Sequence, residues 1–95
     1  MKGQLVVDQG AAQALVDRGK SLLPIGVLDV FGSFSEGDLV EIMDADGRQI
    51  ARGLIATDTE TAMWMRGKKL KDIEAELGWR TVLVHRDDLV LADVV

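Results

Sequence analysis

The sequence has no cysteine, one proline and one histidine among its 95 residues. The absence of cysteine excludes disulfides and thiolate catalysis, and it removes the commonest ligands of structural zinc. No apolar run approaches the roughly 18 residues of a membrane helix. The segment Met1–Gln4 carries a single positive charge with no long apolar stretch behind it, which does not fit a signal peptide. These absences predict a cytoplasmic protein that makes no contact with a membrane.

Positive charge is also scarce, since 11 Lys and Arg stand against 16 Asp and Glu, for a net charge of -5. Binding to nucleic-acid phosphates requires clustered cations, so this balance is unfavourable for a free-standing nucleic-acid binder unless charge is locally concentrated. The composition, 47% hydrophobic and 28% charged, is typical of a globular domain. A chain of this length forms one small domain, residues 1–95, without a second lobe to enclose a substrate cleft.

Capping and turn residues divide the chain into elements in the order β-α-β-β-β-α-α-β. Asp8 and Gly19 supply the start and stop signals of the first helix, and Gly47 supplies the positive φ of a hairpin turn. The predicted strands are 4–7, 26–32, 39–43, 49–56 and the tail 81–84 and 89–91, with helices at 10–18, 57–67 and 68–77. Gly53 inside a strand indicates a bulge or a close backbone approach. Tight turns between strands predict a mainly β fold with short helices, a small closed or nearly closed antiparallel barrel.

Gly19-Lys20-Ser21 imitates the end of a phosphate-binding P-loop. The complete motif requires a glycine at position 14, a preceding strand and a following helix. Position 14 is alanine, a helix precedes the triplet, and Leu-Leu-Pro follows it. The triplet is therefore interpreted as a helix end that exposes a cation and a hydroxyl beside a glycine turn, where a phosphate could still bind.

Two further motifs also fail when their full patterns are considered. His85-Arg86-Asp87 imitates a protein-kinase catalytic loop, but the magnesium-binding Asn five residues after the Asp is replaced by Ala92. Asp44–Gly47 imitates the start of a calcium-binding EF-hand loop, but the twelfth position is Ile55. The first triplet is predicted to be a hydrogen-bonded turn and the second a hairpin turn. No catalytic residue and no metal site are predicted.

The densest positive charge is the run Arg66, Lys68, Lys69 and Lys71. It is interpreted first as a solvated helix face, with a phosphate-facing edge as the alternative. The aromatic residues are few, namely Phe31, Phe34, Trp64 and Trp79, and in so small a core all four are predicted to be buried. A surface that stacks single-stranded bases usually exposes several rings.

The pattern of the whole chain resembles a known family. Its first part reads Val7-Asp8-x-Gly10-Ala11-x-x-Ala14-Leu15 and Gly19-Lys20-Ser21-Leu22-Leu23-Pro24-x-Gly26-Val27, and its middle reads Val30-x-Gly32-x-Phe34-x-x-Gly37-Asp38-x-Val40, Asp46-Gly47 and Ile50-Ala51-Arg52-Gly53. These stretches resemble PUA domains. Leu77-Gly78 and Val84-His85-Arg86-Asp87-Asp88-Leu89-Val90 resemble the PUA domains of glutamate 5-kinases in particular, with the similarity running from about Gly3 to Leu91.

The resemblance implies a PUA-type pseudo-barrel that follows an amino-acid-kinase domain absent from this sequence, and Met1 directly before the family pattern favours a fragment boundary. It implies that the parent enzyme phosphorylates the γ-carboxylate of glutamate with ATP and magnesium, whereas this fragment holds no cofactor and is not itself an enzyme. PUA domains elsewhere bind RNA through the glycine turn after the first helix. Carried over by position, this implies candidate RNA or phosphate contacts, which are Arg18, Gly19, Lys20, Ser21, Arg52 and Arg86.

Two functions remain open at this point. The first is a regulatory and assembly module of a biosynthetic enzyme, whose partners would be its own kinase domain and further copies in a homo-oligomer. The alternative is an RNA-binding module retained from the family, whose partner would be a structured RNA.

Overall fold

The eight elements of the computed structural model, which describes residues 2–92, follow the predicted order. The strands are β1 (Gly3–Val7), β2 (Val27–Gly32), β3 (Leu39–Met43), β4 (Gln49–Leu54) and β5 (Leu89–Leu91). The helices are α1 (Gln9–Arg18), α2 (Thr59–Met65) and α3 (Leu70–Leu77), and two 3₁₀ turns lie at Pro24–Gly26 and Arg86–Asp88. Across residues 2–92, none of the helices is long and apolar enough to cross a membrane.

Local side-chain chemistry defines the first helix as predicted. The Asp8 carboxylate accepts a hydrogen bond from the Ala11 N–H at 2.7 Å, which satisfies one of the unpaired donors at the start of α1. Gly19 ends the helix with φ at 60°, a left-handed conformation that glycine adopts without steric cost. Its N–H donates to the Ala14 carbonyl. Both boundaries of α1 therefore depend on contacts within the helix itself.

The strands form one mixed sheet in the order β2-β1-β3-β4-β5. Every neighbouring pair is antiparallel except β1 and β3, which are parallel, so the prediction of an antiparallel barrel is wrong for this pair. The chain reverses direction between β1 and β2 and reverses again in the loop 33–38, so β3 runs in the direction of β1. The mainly β class with short helices is confirmed.

The predicted strand Thr81–Val84 is wrong. This segment makes one isolated bridge to Leu22, with hydrogen bonds from the Leu22 N–H to the Val84 carbonyl at 2.8 Å and from the Leu83 N–H to the Leu22 carbonyl at 2.9 Å. The ladder cannot extend beyond Leu23, because Pro24 has no N–H and begins a 3₁₀ turn. The predicted closing strand is thereby reduced to β5.

The inward side chains of the sheet pack against the three helices. Leu5, Val40 and Ile42 are fully buried, and each lies one position away from an outward-facing residue, as the period of a strand requires. Leu15, Met65 and Ile73 cover them from the helices. Met63 is 48% exposed, because Ala62 and Met65 occupy the buried side of the short helix α2.

The predicted close approach at Gly53 is confirmed. A Cβ atom here would lie 2.6 Å from Val84 Cγ1 and 2.7 Å from the Asp88 carbonyl oxygen. The alternative, a bulge at Gly53, is not found, because the register between β3 and β4 shifts at Ile42 and Met43 instead. Gly53 therefore lets the C-terminal segment pack directly on the backbone of β4.

The aromatic residues divide into two groups. Phe34 is buried, as predicted, whereas Trp64 is only half-buried. Phe31 is 50% exposed and Trp79 is 61% exposed, so the prediction that all four rings are buried is wrong for these two. Phe31 lies on the outward side of β2, opposite Gln4, and Trp79 directly follows the glycine that ends α3.

Candidate anion-binding groove

A groove of about 820 Å³ lies where the end of α1 meets the C-terminal segment. Lys20 and Ser21 line it from the turn after α1, and His85 and Arg86 line it from the chain before β5. Three of the six predicted contacts, Lys20, Ser21 and Arg86, are therefore brought to one site across 65 residues of sequence.

A hydrogen bond holds the two walls of the groove together. Ser21 Oγ accepts from the Arg86 N–H at 2.8 Å. The neighbouring bridge between Leu22 and Val84 continues this contact into the core, where both side chains are buried. The Ser21 hydroxyl thus holds the backbone of Arg86, at the start of its 3₁₀ turn, beside the turn that carries Lys20.

The glycine turn itself offers little to a phosphate through its backbone. The N–H groups of Gly19 and Lys20 both point back to the Ala14 carbonyl, at 3.1 Å for Lys20. A P-loop cradle requires backbone donors directed at the ligand, and here these two are used to close the helix. The rejection of the P-loop interpretation is confirmed, and any phosphate at this turn would meet the side chain of Lys20.

His85 belongs to a turn, as predicted. Its Nδ1 atom accepts from the Asp87 N–H at 3.1 Å, and the Asp87 carboxylate lies 3.5 Å away. Because Nδ1 accepts a proton donor, a neutral imidazole here carries its own hydrogen on Nε2. That nitrogen is left to serve as a donor for a ligand in the groove.

Part of the groove lining is apolar. Ala11 and Ala14 line it from α1, and the exposed side chains of Leu23 and Ile25 line it from the segment around Pro24. Asp8 also lines the groove, but its carboxylate is engaged in capping α1. This lining is suited to a ligand with an anionic group and an apolar body, held by charge and by apolar contact.

The remaining predicted contacts lie elsewhere or at the margin. Gly19 adjoins the groove, and Arg18 is exposed in the last turn of α1 without lining it. Arg52 is exposed on β4, opposite Glu41 and Val90. Whether any of the six residues contacts RNA stays a prediction.

The sequence-based predictions did not include the apolar part of the groove lining or His85. Leu23 and Ile25 flank the one proline, and two apolar residues beside a proline turn could have indicated an exposed apolar surface. The signal for His85 was its position directly before Arg86.

The basic run lies in the turn between α2 and α3 and in the first turn of α3, outside the residues that line the groove. Arg66 pairs with Asp29 at 3.0 Å, and Lys68 Nζ lies 4.8 Å from the ring centroid of Trp64 and donates to its carbonyl. Lys69 and Lys71 are exposed. Two of the four cations therefore make contacts within the fold, which argues against a phosphate-binding edge. Only Lys71 lies within a helix, so the predicted helix face is wrong for the other three.

The hairpin predicted at Asp44–Gly47 is confirmed. Asp44 Oδ1 accepts from the Asp46 and Arg48 N–H groups at 3.0 and 2.9 Å, and Gly47 has φ of 84°. The carboxylate therefore organises the turn. Between Lys2 and Ala92, no group of three His, Asp or Glu side chains is arranged to hold a metal ion.

The fold and the groove together define a small mainly β domain with one ligand-sized amphipathic site. Residues 3–77 match the PUA domain family, and the chain belongs to that family. It is 52% identical over 92 residues to glutamate 5-kinase 1 of Mesorhizobium japonicum, covering 95% of this chain and 24% of that protein. The chain therefore spans about a quarter of the length of the curated relatives that it matches.

Two solved structures share the fold. A PUA domain of Aeropyrum pernix K1, solved as a tartrate complex, is 29% identical with a TM-score of 0.67, covering 90% of this chain and 42% of that one. The archaeal box H/ACA sRNP Nop10-Cbf5 complex contains a match at 18% identity with a TM-score of 0.67, covering 97% of this chain and 24% of that one. At that identity the second likeness concerns the fold alone.

Proposed function

We propose that this chain is the PUA module of a glutamate 5-kinase, with a regulatory and assembly role, and that the parent enzyme phosphorylates the γ-carboxylate of glutamate with ATP and magnesium. The observation that carries the proposal is the 52% identity to a glutamate 5-kinase over 95% of this chain and only 24% of the kinase. The identity extends across nearly the whole of this chain, whereas most of the kinase has no counterpart in it. This supports the interpretation that the chain is a module that accompanies the catalytic part of such an enzyme.

The chemistry of the groove supports a role other than catalysis. A nucleophile needs a base within hydrogen-bond reach. Ser21 Oγ accepts from the Arg86 N–H, and His85 Nδ1 accepts from the Asp87 N–H, so each of these groups is engaged with backbone. Within residues 2–92 the groove offers binding groups, and the phosphoryl transfer belongs to the remainder of the parent enzyme.

Deleting this module from the parent enzyme tests the proposal. We expect glutamate phosphorylation to survive, while the magnesium requirement, feedback inhibition by proline or the oligomeric state changes. Kinetics at varied magnesium and proline, together with the molar mass in solution, measure these effects. A thermal unfolding curve of the truncated enzyme controls for loss of its folded state. If all three properties were unaltered in a folded truncated enzyme, the regulatory role would be wrong.

RNA binding is the second candidate, and the convergence of Lys20 and Arg86 on one groove favours it. Phosphate contacts by cations make binding dependent on salt, and removing one such contact lowers the log–log salt slope by about 1. We expect Lys20→Ala and Arg86→Ala to weaken binding to a structured RNA in a mobility-shift titration, with a smaller effect of Arg18→Ala. Arg52→Ala is the matched control, because Arg52 does not line the groove. Absence of any shift at low salt would rule this candidate out.

A further inference from the structure

The outward side of the sheet carries a second surface, away from the core. Cross-strand pairing places one row of outward-facing side chains across all five strands. In the order of the strands in the sheet, the row is Phe31, Gln4, Glu41, Arg52 and Val90. Leu39 and Leu54, which face each other, form part of the next row. The surface named here the outer face comprises Phe31, Leu39, Glu41, Arg52, Leu54 and Val90.

The outer face is apolar and carries balanced charge. Its four apolar side chains are 39% to 57% exposed, and Val90 is the most exposed of them. The two charged residues, Glu41 and Arg52, are directly opposite in register and of opposite sign. In a chain with net charge -5, a neutral and largely apolar surface is matched to another protein surface, because a nucleic acid would require an excess of cations.

The chain enters the domain beside this surface. The Lys2 N–H donates to the Leu39 carbonyl at 3.2 Å, and β1 then runs between β2 and β3. A shallow depression of about 200 Å³ lies at the same place, lined in part by Lys2, Phe31 and Glu41. Lys2 therefore lies at the rim of the outer face, next to a hollow that can receive a side chain.

We propose that the outer face docks against the kinase domain that precedes this module in the parent chain. The inference rests on the proposed function, which supplies the preceding domain, since the chain covers only 24% of its glutamate 5-kinase relative. Interfaces between domains of one chain bury about 600–1,500 Å² and are more polar than obligate interfaces. Four apolar side chains around one opposite-charge pair fit that description. The short path from Lys2 to the face keeps the two surfaces at high effective concentration.

Cysteine labelling tests the docking, because this chain has no cysteine of its own. Leu54→Cys and Val90→Cys place a thiol on the outer face, and Met63→Cys places one on α2 with matched exposure, 48% for Met63 against 44% for Leu54. Each variant is made in this chain alone and in the parent enzyme. The labelling rate of the peptide that carries the new cysteine is followed by mass spectrometry, so that other cysteines of the parent do not interfere.

We expect labelling at positions 54 and 90 to be slower in the parent enzyme by about tenfold or more, because burial removes access to the thiol. The rate at position 63 should be the same in both proteins. Equal rates at positions 54 and 90 in both proteins would overturn the docking, and equal slowing at all three positions would overturn its assignment to this face. Slow labelling of the isolated chain that becomes faster on dilution would show that a second copy covers the face, which also overturns it.

Glutamate phosphorylation by the same parent preparations distinguishes the two proposals. An active enzyme with unprotected cysteines means that the docking fails and the proposed function stands. If the unsubstituted parent protein does not phosphorylate glutamate, the proposed function fails. Protection of the cysteines at positions 54 and 90 would in that case still support docking to the preceding domain.

Discussion

The groove and the outer face are two surfaces of one small sheet domain, and they differ in how they are built. The groove is made by residues distant in sequence, and its walls are joined by the bond between Ser21 and Arg86 and by the bridge between Leu22 and Val84. The outer face is made by the alternation of side chains along regular strands. The outer face therefore stays largely apolar if a single residue is replaced, whereas the groove depends on particular contacts.

The two surfaces also differ in charge and share one segment. Lys20, His85 and Arg86 give the groove its positive character, whereas the outer face pairs Glu41 with Arg52. The chain from Val84 to Val90 contributes to both surfaces, and it is seated on β4 at Gly53. A substitution where this segment packs on Gly53 should therefore alter the structure of both surfaces. A substitution at the floor of the groove, or on the outer face, should alter only that surface.

The largest effect is expected at the floor of the groove. Leu22 is 1% exposed, and Leu22→Ala should lower the free energy of unfolding by about 3 kcal/mol, since it removes buried methyl groups and leaves a cavity. Leu54→Ala on the outer face should change it by less than about 0.5 kcal/mol, because Leu54 is 44% exposed in this chain. Chemical denaturation of both variants measures the difference. Equal losses would mean that the two surfaces are not built as described.

A smaller effect is expected at the shared seat. Gly53→Ala forces a Cβ against Val84 and the Asp88 carbonyl, and overpacking of this kind should cost about 2 kcal/mol. Gly10→Ala is the control for overpacking in the stability measurement alone, since its Cβ would meet only the Asp8 carboxylate at 3.5 Å, an ordinary contact. Unfolding curves give the stability, and the chemical shifts of His85 and Val90 report both surfaces. Shifts confined to one surface would contradict the shared seat.

The hydrogen bond across the groove has a modest expected contribution. Ser21→Ala removes the acceptor of the Arg86 N–H and should lower stability by about 1 kcal/mol. Amide hydrogen exchange at Arg86 should become faster, since the amide loses its partner. Ser33→Ala, at an exposed position after β2, serves as the control. Unchanged exchange at Arg86 in the Ser21 variant would show that the bond does not hold the wall.

The smallest effect is expected away from both surfaces, at the cap of α2. Hydrogen bonds from the side chain and then the backbone of Thr61 hold the pKa of the Asp58 carboxyl below its ordinary value of 3.8. A lowered folded-state pKa means that the stabilisation is present above pH 3.8 and is lost as the pH falls through the folded-state value. The advantage over Asp58→Ala should therefore shrink on acidification.

Unfolding midpoints measured across acidic pH for three proteins check this expectation. The Asp58→Asn variant keeps a capping oxygen that does not titrate, so its difference from Asp58→Ala should stay constant. A difference between the natural chain and Asp58→Ala that is the same at neutral pH and well below pH 3.8 would contradict the titration of this cap.

Local signals were the most predictable part of the fold. Asp8 and Gly19 bound α1 because their effects arise within one helical turn, and Asp44 and Gly47 form the hairpin for the same reason. The order of all eight elements followed from such signals. Predictions were wrong where distant residues decide the outcome, as at the strand expected over 81–84. There Leu22 lies opposite Val84, and Pro24, two residues further along the chain, ends the ladder after this one bridge.

The candidate site was half visible in the sequence. The turn Gly19–Ser21 was identified by its residue types, and Arg86 was selected from the family resemblance, but nothing local indicated that they share a groove. The exposure of Phe31 was also unpredictable, because the side of a strand that faces solvent depends on its cross-strand partners.

The sequence by itself determined the boundaries of α1, the hairpin turn, the order of elements and the family, because each depends on residues close together or on spacing along the chain. Only the tertiary structure decided the parallel pairing of β1 with β3, the joining of Ser21 to Arg86 and the exposure of the outer face. These features arise where segments far apart in sequence meet, and such encounters depend on how the whole sheet packs.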